Sequence, residues 1–125
     1  MKTILVDGMF CVYDENFNVN KELLHMIDSF RARKILVVNK FREKGKKLLE
    51  NSSIKHSFSL EEENINKDNK EYFLRLLKKF DINPKEVFYF DHDENNVKTA
   101  KSVGINSVAY SRNNLLIKQF IIDNL

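Results

Sequence analysis

The sequence predicts a three-layer α/β sandwich built on a five-stranded parallel sheet, in one domain over residues 1–125. Three observations predict it. Apolar runs recur along the chain at Lys2–Val6, Lys34–Val38 and Val87–Phe90, each too continuous for a strand with one wet face. Helical periods alternate with those runs. Two of the runs, the first and the last, end in an aspartate, Asp7 and Asp91.

The first strand, Lys2 to Val6, runs into Asp7 and then Gly8, which permits a sharp change of backbone direction or close approach to a ligand. Met9 to Val19 shows no helical period. Phe10, Val12, Phe17 and Val19 flank the turn residues Asp14-Glu15-Asn16, which reads as a small hairpin or flap. Asn20 caps a helix from Lys21 to about Phe30, with Leu23, Leu24, Ile27 and Phe30 on one face.

Lys34 to Val38 is the next buried strand, closed by Asn39. Phe41 to Glu50 reads as a helix weakened by Gly45. A short strand is expected over Ile54–Leu60, then a polar loop over Glu61–Asn66. Lys70 to Phe80 is an amphipathic helix with Phe73, Leu76, Leu77 and Phe80 inward.

Asn83-Pro84-Lys85-Glu86 is a helix-start pattern that makes one turn before the strand Val87–Phe90. Glu94 to Val103 follows as a helix and stops at Gly104. Ser107 to Tyr110 is the last strand. Asn113 to Asn124 is the last helix, with Leu116, Ile117, Phe120 and Ile121 inward.

Composition narrows the function classes. The charged fraction is 31% and the net charge +3, too mild to argue for nucleic acid. A basic segment from Arg31 to Lys47 scatters over two helices and a loop, and only Lys40 and Arg42 follow a strand closely enough to border a pocket there. No stretch reaches the roughly 20 apolar residues of a membrane span. The one cysteine, Cys11, forms no intrachain disulfide, and Asp7 cuts the first apolar run too short for a secretory signal; both point to the cytoplasm.

Two strands that deliver Asp7 and Asp91 to one sheet edge make a small anionic pocket, where open α/β sheets bind their ligands. Oxygen ligands of this kind suit a divalent cation. Asp93 stands where it either joins that pocket or caps the following helix. His92 reads either as a metal ligand or base, or as a surface imidazole whose pKa two carboxylates raise. Cys11 reads as a buried thiol, and His25 and His56 as structural or exposed.

With both acidic strand ends placed, the chain resembles the haloacid dehalogenase (HAD) superfamily, a Rossmann-like fold. FYFDHDENNVKTAKSVGI resembles that family's fourth motif, and NKDNKEYFLRLLKKFDINPKEV its third-motif helix. The resemblance implies roles: Asp7 as nucleophile and metal ligand, Lys67 as the neutralising cation, Asp91 (with Asp93) as Mg²⁺ ligand, and Asn96 as the asparagine that opens the next helix. It implies a Mg²⁺-dependent phosphohydrolase acting on a phosphorylated small molecule or a macromolecular phosphate.

Three positions depart from the family pattern. Met9 stands where the family has a second aspartate as acid and base. Val38 stands at the phosphate-holding serine or threonine. His92 follows the metal ligand where an aspartate is usual. Asn39 offers an amide, but on a straight strand it faces the opposite side from Val38. Loss of acid–base assistance typically costs on the order of 10²–10⁴ in rate. Two readings therefore stand: a slow or specialised phosphohydrolase with His92 as substitute acid/base, or a catalytically silent HAD-like binding domain. The stretches between Asp7 and Lys34, and between Val38 and Lys67, are too short for an inserted cap domain, so the site is expected to be open, with room for a partner or a second copy of the chain.

Overall fold

A computed structural model describes residues 2–124. Five strands alternate with five helices: β1 (Thr3–Asp7), α1 (Lys21–Asp28), β2 (Arg33–Val37), α2 (Glu43–Leu48), β3 (His56–Phe58), α3 (Lys70–Phe80), β4 (Val87–Asp91), α4 (Glu94–Ser102), β5 (Asn106–Ala109) and α5 (Asn114–Asn124). Every strand pair is parallel, in the order β3-β2-β1-β4-β5. The expected fold class is thus the observed one.

The apolar runs are buried because helices cover both sheet faces. Alternation along β1 sends Ile4 and Val6 to one face and Leu5 to the other. On the first face they meet Phe88 and Phe90 of β4, Leu23 and Ile27 of α1, and Ile117 and Ile121 of α5. On the second, Leu5 meets Ile35, Val37 and Tyr89, with Phe73 and Leu76 of α3 and Ala100 of α4.

The chain winds outward from β1 through β2 to β3, then returns to the other side of β1 for β4 and β5. The sheet order therefore reverses between β1 and β4, and the crevice at their carboxyl ends is the place for a ligand. Val6 pairs with Phe90, so the next residues on the two strands, Asp7 and Asp91, emerge side by side.

Several expectations are corrected at element ends. The helix expected over 41–50 shortens to Glu43–Leu48, and its starting residue Arg42 makes no side-chain cap. The strand expected over 54–60 shrinks to three residues. The polar loop contains a 3₁₀ turn over Glu61–Glu63. In α5, Leu116 is 45% exposed while Ile117 and Ile121 are buried and Phe120 packs on Phe88, because Leu116 falls at the margin of the stripe those three share toward the sheet. The expected small hairpin or flap is present in minimal form, closed by the antiparallel bridge of Tyr13 with Val19 and by Asn20 N–H donating to Val12 O at 2.8 Å. Phe10 and Phe17 take positive φ, which turns the chain too tightly for a ladder.

No domain is inserted between β1 and β2, or between β2 and β4. Among the described residues no helix is long and apolar enough to cross a membrane.

Candidate active site

Asp7 ends β1 and is 2% exposed; Asp91 ends β4 and is fully buried. Lys67 reaches between them from the loop before α3. Its Nζ lies 2.6 Å from Asp7 Oδ1 and 2.9 Å from Asp91 Oδ2. The loop is fixed at both sides of this lysine. Lys67 N–H donates to Asn39 Oδ1 at 2.8 Å, and Asn69 caps α3 through Glu71 N–H. Two buried carboxylates at adjacent strand ends need such a cation, since an uncompensated buried charge is strongly unfavourable.

The remaining oxygens are also engaged. Asp91 Oδ2 accepts hydrogen bonds from Tyr89 and from Asn96 Nδ2, the latter at 3.2 Å. Asp91 Oδ1 accepts the Asp93 N–H at 2.8 Å. Asp7 Oδ2 accepts from Cys11 Sγ at 3.3 Å and lies 2.6 Å from His92 Nδ1. The same His92 nitrogen is 3.2 Å from Asp91 Oδ1. A single point next to both carboxylates is therefore filled by an imidazole nitrogen.

The charges follow from this geometry. Burial pushes the Asp7 carboxyl up, but the Lys67 charge and hydrogen bonds from His92 and Lys67 outweigh it and bring it down to about 2. Asp91 moves the other way, raised by burial and by the charge of Asp7. Asp7 is thus held ionised at neutral pH. The hydrogen bond to Asp7 raises His92 and favours its imidazolium form. Burial depresses Lys67, but Asp7 and Asp91 more than compensate. Burial and the Asp7 charge hold the Cys11 thiol well above its usual value, so it stays protonated and a poor nucleophile.

The group opens into a cleft of about 400 Å³ lined by Asp7, Met9, Tyr13, Val38 and Lys67 below, with Lys40, Arg42 and His92 at its exposed rim. Lys40 and Arg42 border the pocket as expected. Asn39 does not face away: β2 ends at Val37, so the straight-strand rule no longer governs Asn39, which turns into the cleft and holds Lys67. Asp93 lines the cleft and uses its side chain to cap α4 through Asn95 N–H at 2.8 Å. His25 and His56 lie exposed, away from it. Sequence reasoning missed Tyr13, Tyr89 and Asn66. Tyr89 reads only as strand core, and nothing in a flap without periodicity marks Tyr13.

The donor set is compatible with a hard cation. The Asp7 and Asp91 oxygens converge on the point held by His92 Nδ1, and the His92 side chain, 38% exposed, stands at the solvent edge of that point. Asp7, Cys11 and His92 also place ligand atoms within 4.8 Å of one another, but a protonated thiol is a weak ligand.

The order and winding of the five parallel strands define a fold, and it is the fold of HAD hydrolases. Its structural neighbours make this concrete. A protein of uncharacterised function from Corynebacterium glutamicum superposes with a TM-score of 0.70 at 16% identity, over 98% of this chain and 91% of that one. A predicted HAD-like family hydrolase from Porphyromonas gingivalis gives 0.67 at 20%, over 84% of this chain and 58% of its own. A HAD-family enzyme from Bacteroides thetaiotaomicron, in complex with magnesium and inorganic phosphate, gives 0.57 at 21%, over 74% of this chain and 51% of its own. The chain thus spans little more than half the length of these two hydrolases. At such identities the likeness is one of fold. No protein-family model and no curated protein matches the chain.

Proposed function

We propose that this domain is a phosphohydrolase with an open site, using Asp7 as nucleophile with Mg²⁺ assistance. The observation that carries the reading is Asp7 itself: a buried carboxylate kept ionised by Lys67, at the floor of a cleft whose rim is basic. An ionised carboxylate beside a fixed cation can attack phosphorus, and the cation limits repulsion between nucleophile and phosphate.

In this reading an Asp7 oxygen attacks the phosphorus of a phosphate monoester. The leaving oxygen departs with a proton from His92, giving an aspartyl phosphate. Water then attacks that phosphorus, His92 takes up its proton, and inorganic phosphate leaves with Asp7 restored. Asp7 and Asp91 would hold Mg²⁺, which supplies charge neutralisation at the phosphoryl oxygens. The B. thetaiotaomicron neighbour carries magnesium and inorganic phosphate, which supports the choice of cation and ligand. The lack of an inserted cap leaves room for a large phosphorylated substrate. Nothing in the site calls for nucleic acid or a membrane, and a homodimer that lids the cleft fits the same openness.

One observation favours a second reading. His92 sits on the Asp7 carboxylate at the point a cation would take, and Met9 carries no proton. A silent HAD-like binding domain would keep this closed ion network as structure. Hydrolysis of an aryl phosphate, with and without Mg²⁺, separates the two. The phosphohydrolase gives Mg²⁺-dependent turnover that Asp7→Asn abolishes; equal background rates for both proteins favour the binding domain.

A further inference from the structure

The chain has four tyrosines. Three have their hydroxyls engaged within the fold. Tyr72 Oη lies 2.9 Å from the carbonyl oxygens of Val38 and Phe58. Tyr89 Oη is bonded to Asp91. Tyr110 Oη donates to Asn114 Oδ1 at 2.6 Å and accepts from Asn20 Nδ2 at 2.9 Å. Tyr13 is only 2% exposed, yet its hydroxyl has no hydrogen-bond partner among the described residues. The ring is packed, and the hydroxyl at its tip reaches the cleft with no protein group to bond among those residues.

Its placement is built. A Cβ at Gly8 would stand 2.8 Å from Tyr13 Oη and 2.9 Å from Val38 Cγ1. A Cβ at Gly45 would stand 2.7 Å from Tyr13 Cζ and 2.8 Å from Oη. Two of the chain's three glycines therefore make room for this one ring. Phe17 stacks on it at 5.6 Å between centroids. The backbone is held as well, with Phe10 N–H donating to Tyr13 O at 2.7 Å. The hydroxyl thus sits against Gly8, the residue that follows Asp7, and the Val38 side chain approaches the same glycine. It lines the same cleft as Asp7, Lys67 and Arg42.

We propose that the Tyr13 hydroxyl is a hydrogen-bond donor to a phosphoryl oxygen of the group bound at Asp7. This rests on the phosphohydrolase reading and adds to it a residue from the flap. Met9 and Val38 line the cleft without a donor, and Lys67 Nζ is taken up by Asp7 and Asp91, so a phenol held beside Gly8 adds an uncommitted donor to the cleft floor. Burial and the charge of Asp7 raise the phenol above its usual pKa, so it keeps its proton and donates across the working range. An anion in the cleft gives the unpaired hydroxyl its partner.

The test compares the wild type with Tyr13→Phe, which keeps the ring between the glycines and removes only the oxygen. Three quantities are read: kcat on an aryl phosphate with Mg²⁺, the affinity for inorganic phosphate by calorimetry, and the Tyr13 ring-carbon resonance of the wild type as phosphate is added. The expected result is a kcat lower by about 100–1,000-fold, weaker phosphate binding, an unchanged fold by circular dichroism, and a phosphate-dependent shift of the Tyr13 signal. Equal kcat and phosphate affinity in the two proteins would overturn the role of Tyr13 and leave the phosphohydrolase reading standing. A Tyr13 resonance unmoved at saturating phosphate would overturn it without recourse to any variant. A wild type that neither turns over the ester nor binds phosphate would overturn both.

Discussion

His92 Nδ1 stands 2.6 Å from Asp7 Oδ2, and the two side chains differ sharply in exposure, 38% against 2%. The buried partner is fixed by β1 and Lys67. The outer partner lies at the rim, its ring edge-on to Phe10 at 5.1 Å. A network of two carboxylates and two cations is thereby closed, with one member at the solvent edge.

Competition with Mg²⁺ follows. If His92 Nδ1 holds the point where the Asp7 and Asp91 oxygens converge, removing the imidazole opens that point. Mg²⁺ should raise the melting temperature of His92→Ala at lower concentration than it does for the wild type, and should have no effect on Asp91→Asn. Identical Mg²⁺ titrations for wild type and His92→Ala would count against the shared position.

Lys67 carries the second prediction. Lys67→Met leaves two adjacent buried carboxylates without their central cation. Breaking a buried pair in this way costs roughly 3–5 kcal/mol. Asp91, already raised by burial and by Asp7, takes up a proton and keeps the loss at the lower end of that range. Urea unfolding at neutral pH measures it, and aryl phosphate hydrolysis should fall to background in the same variant.

The His92 contact also sets a pH dependence. Its folded-state pKa is raised, so the ion pair adds stability that is fully present below the ordinary histidine value and is lost as pH rises through the raised value. The difference in melting temperature between wild type and His92→Gln should be largest near pH 5–6 and should shrink toward alkaline pH. Asp7, lowered to about 2, acts on the opposite side: its contribution is present above the ordinary carboxylate value and fades as pH falls toward 2. A His92→Gln difference that grows with pH would contradict the ion pair.

Gly45 gives a prediction of opposite sign to the usual rule. Gly to Ala inside a helix ordinarily stabilises by about 1 kcal/mol. Here the new Cβ meets the Tyr13 ring at 2.7 Å, and the ring is held by Gly8 and Phe17. Gly45→Ala should therefore destabilise in chemical denaturation. Combined with Tyr13→Ala, the same change should become stabilising, because the obstructing ring is gone.

How far the sequence reveals these features depends on whether they are local. Asp7 and Asp91 are legible because each ends an apolar run, and a parallel sheet carries adjacent run-ends to one edge. The helix from Lys70 is legible from its period of buried residues, Phe73, Leu76 and Leu77. Asn39 is misjudged because one residue of strand length decides which way it points, and strand ends are set by pairing with β3, not by composition. The bridge made by His92 depends on the turn after β4, whose rotation the sequence does not show. Tyr13 is invisible for a different reason: its environment comes from Gly8 and from Gly45 in the next helical unit, a contact across the fold with no local pattern.

The most direct measurement is to trap the phosphoryl group on Asp7. The protein is mixed with an aryl phosphate and Mg²⁺, quenched in acid within the first turnover, and digested for mass spectrometry. The account predicts a phosphorylated peptide covering Asp7, absent from Asp7→Asn and more abundant in His92→Ala, where breakdown of the intermediate is slowed. Turnover of the ester with no adduct on Asp7, or an adduct that persists in Asp7→Asn, would contradict it.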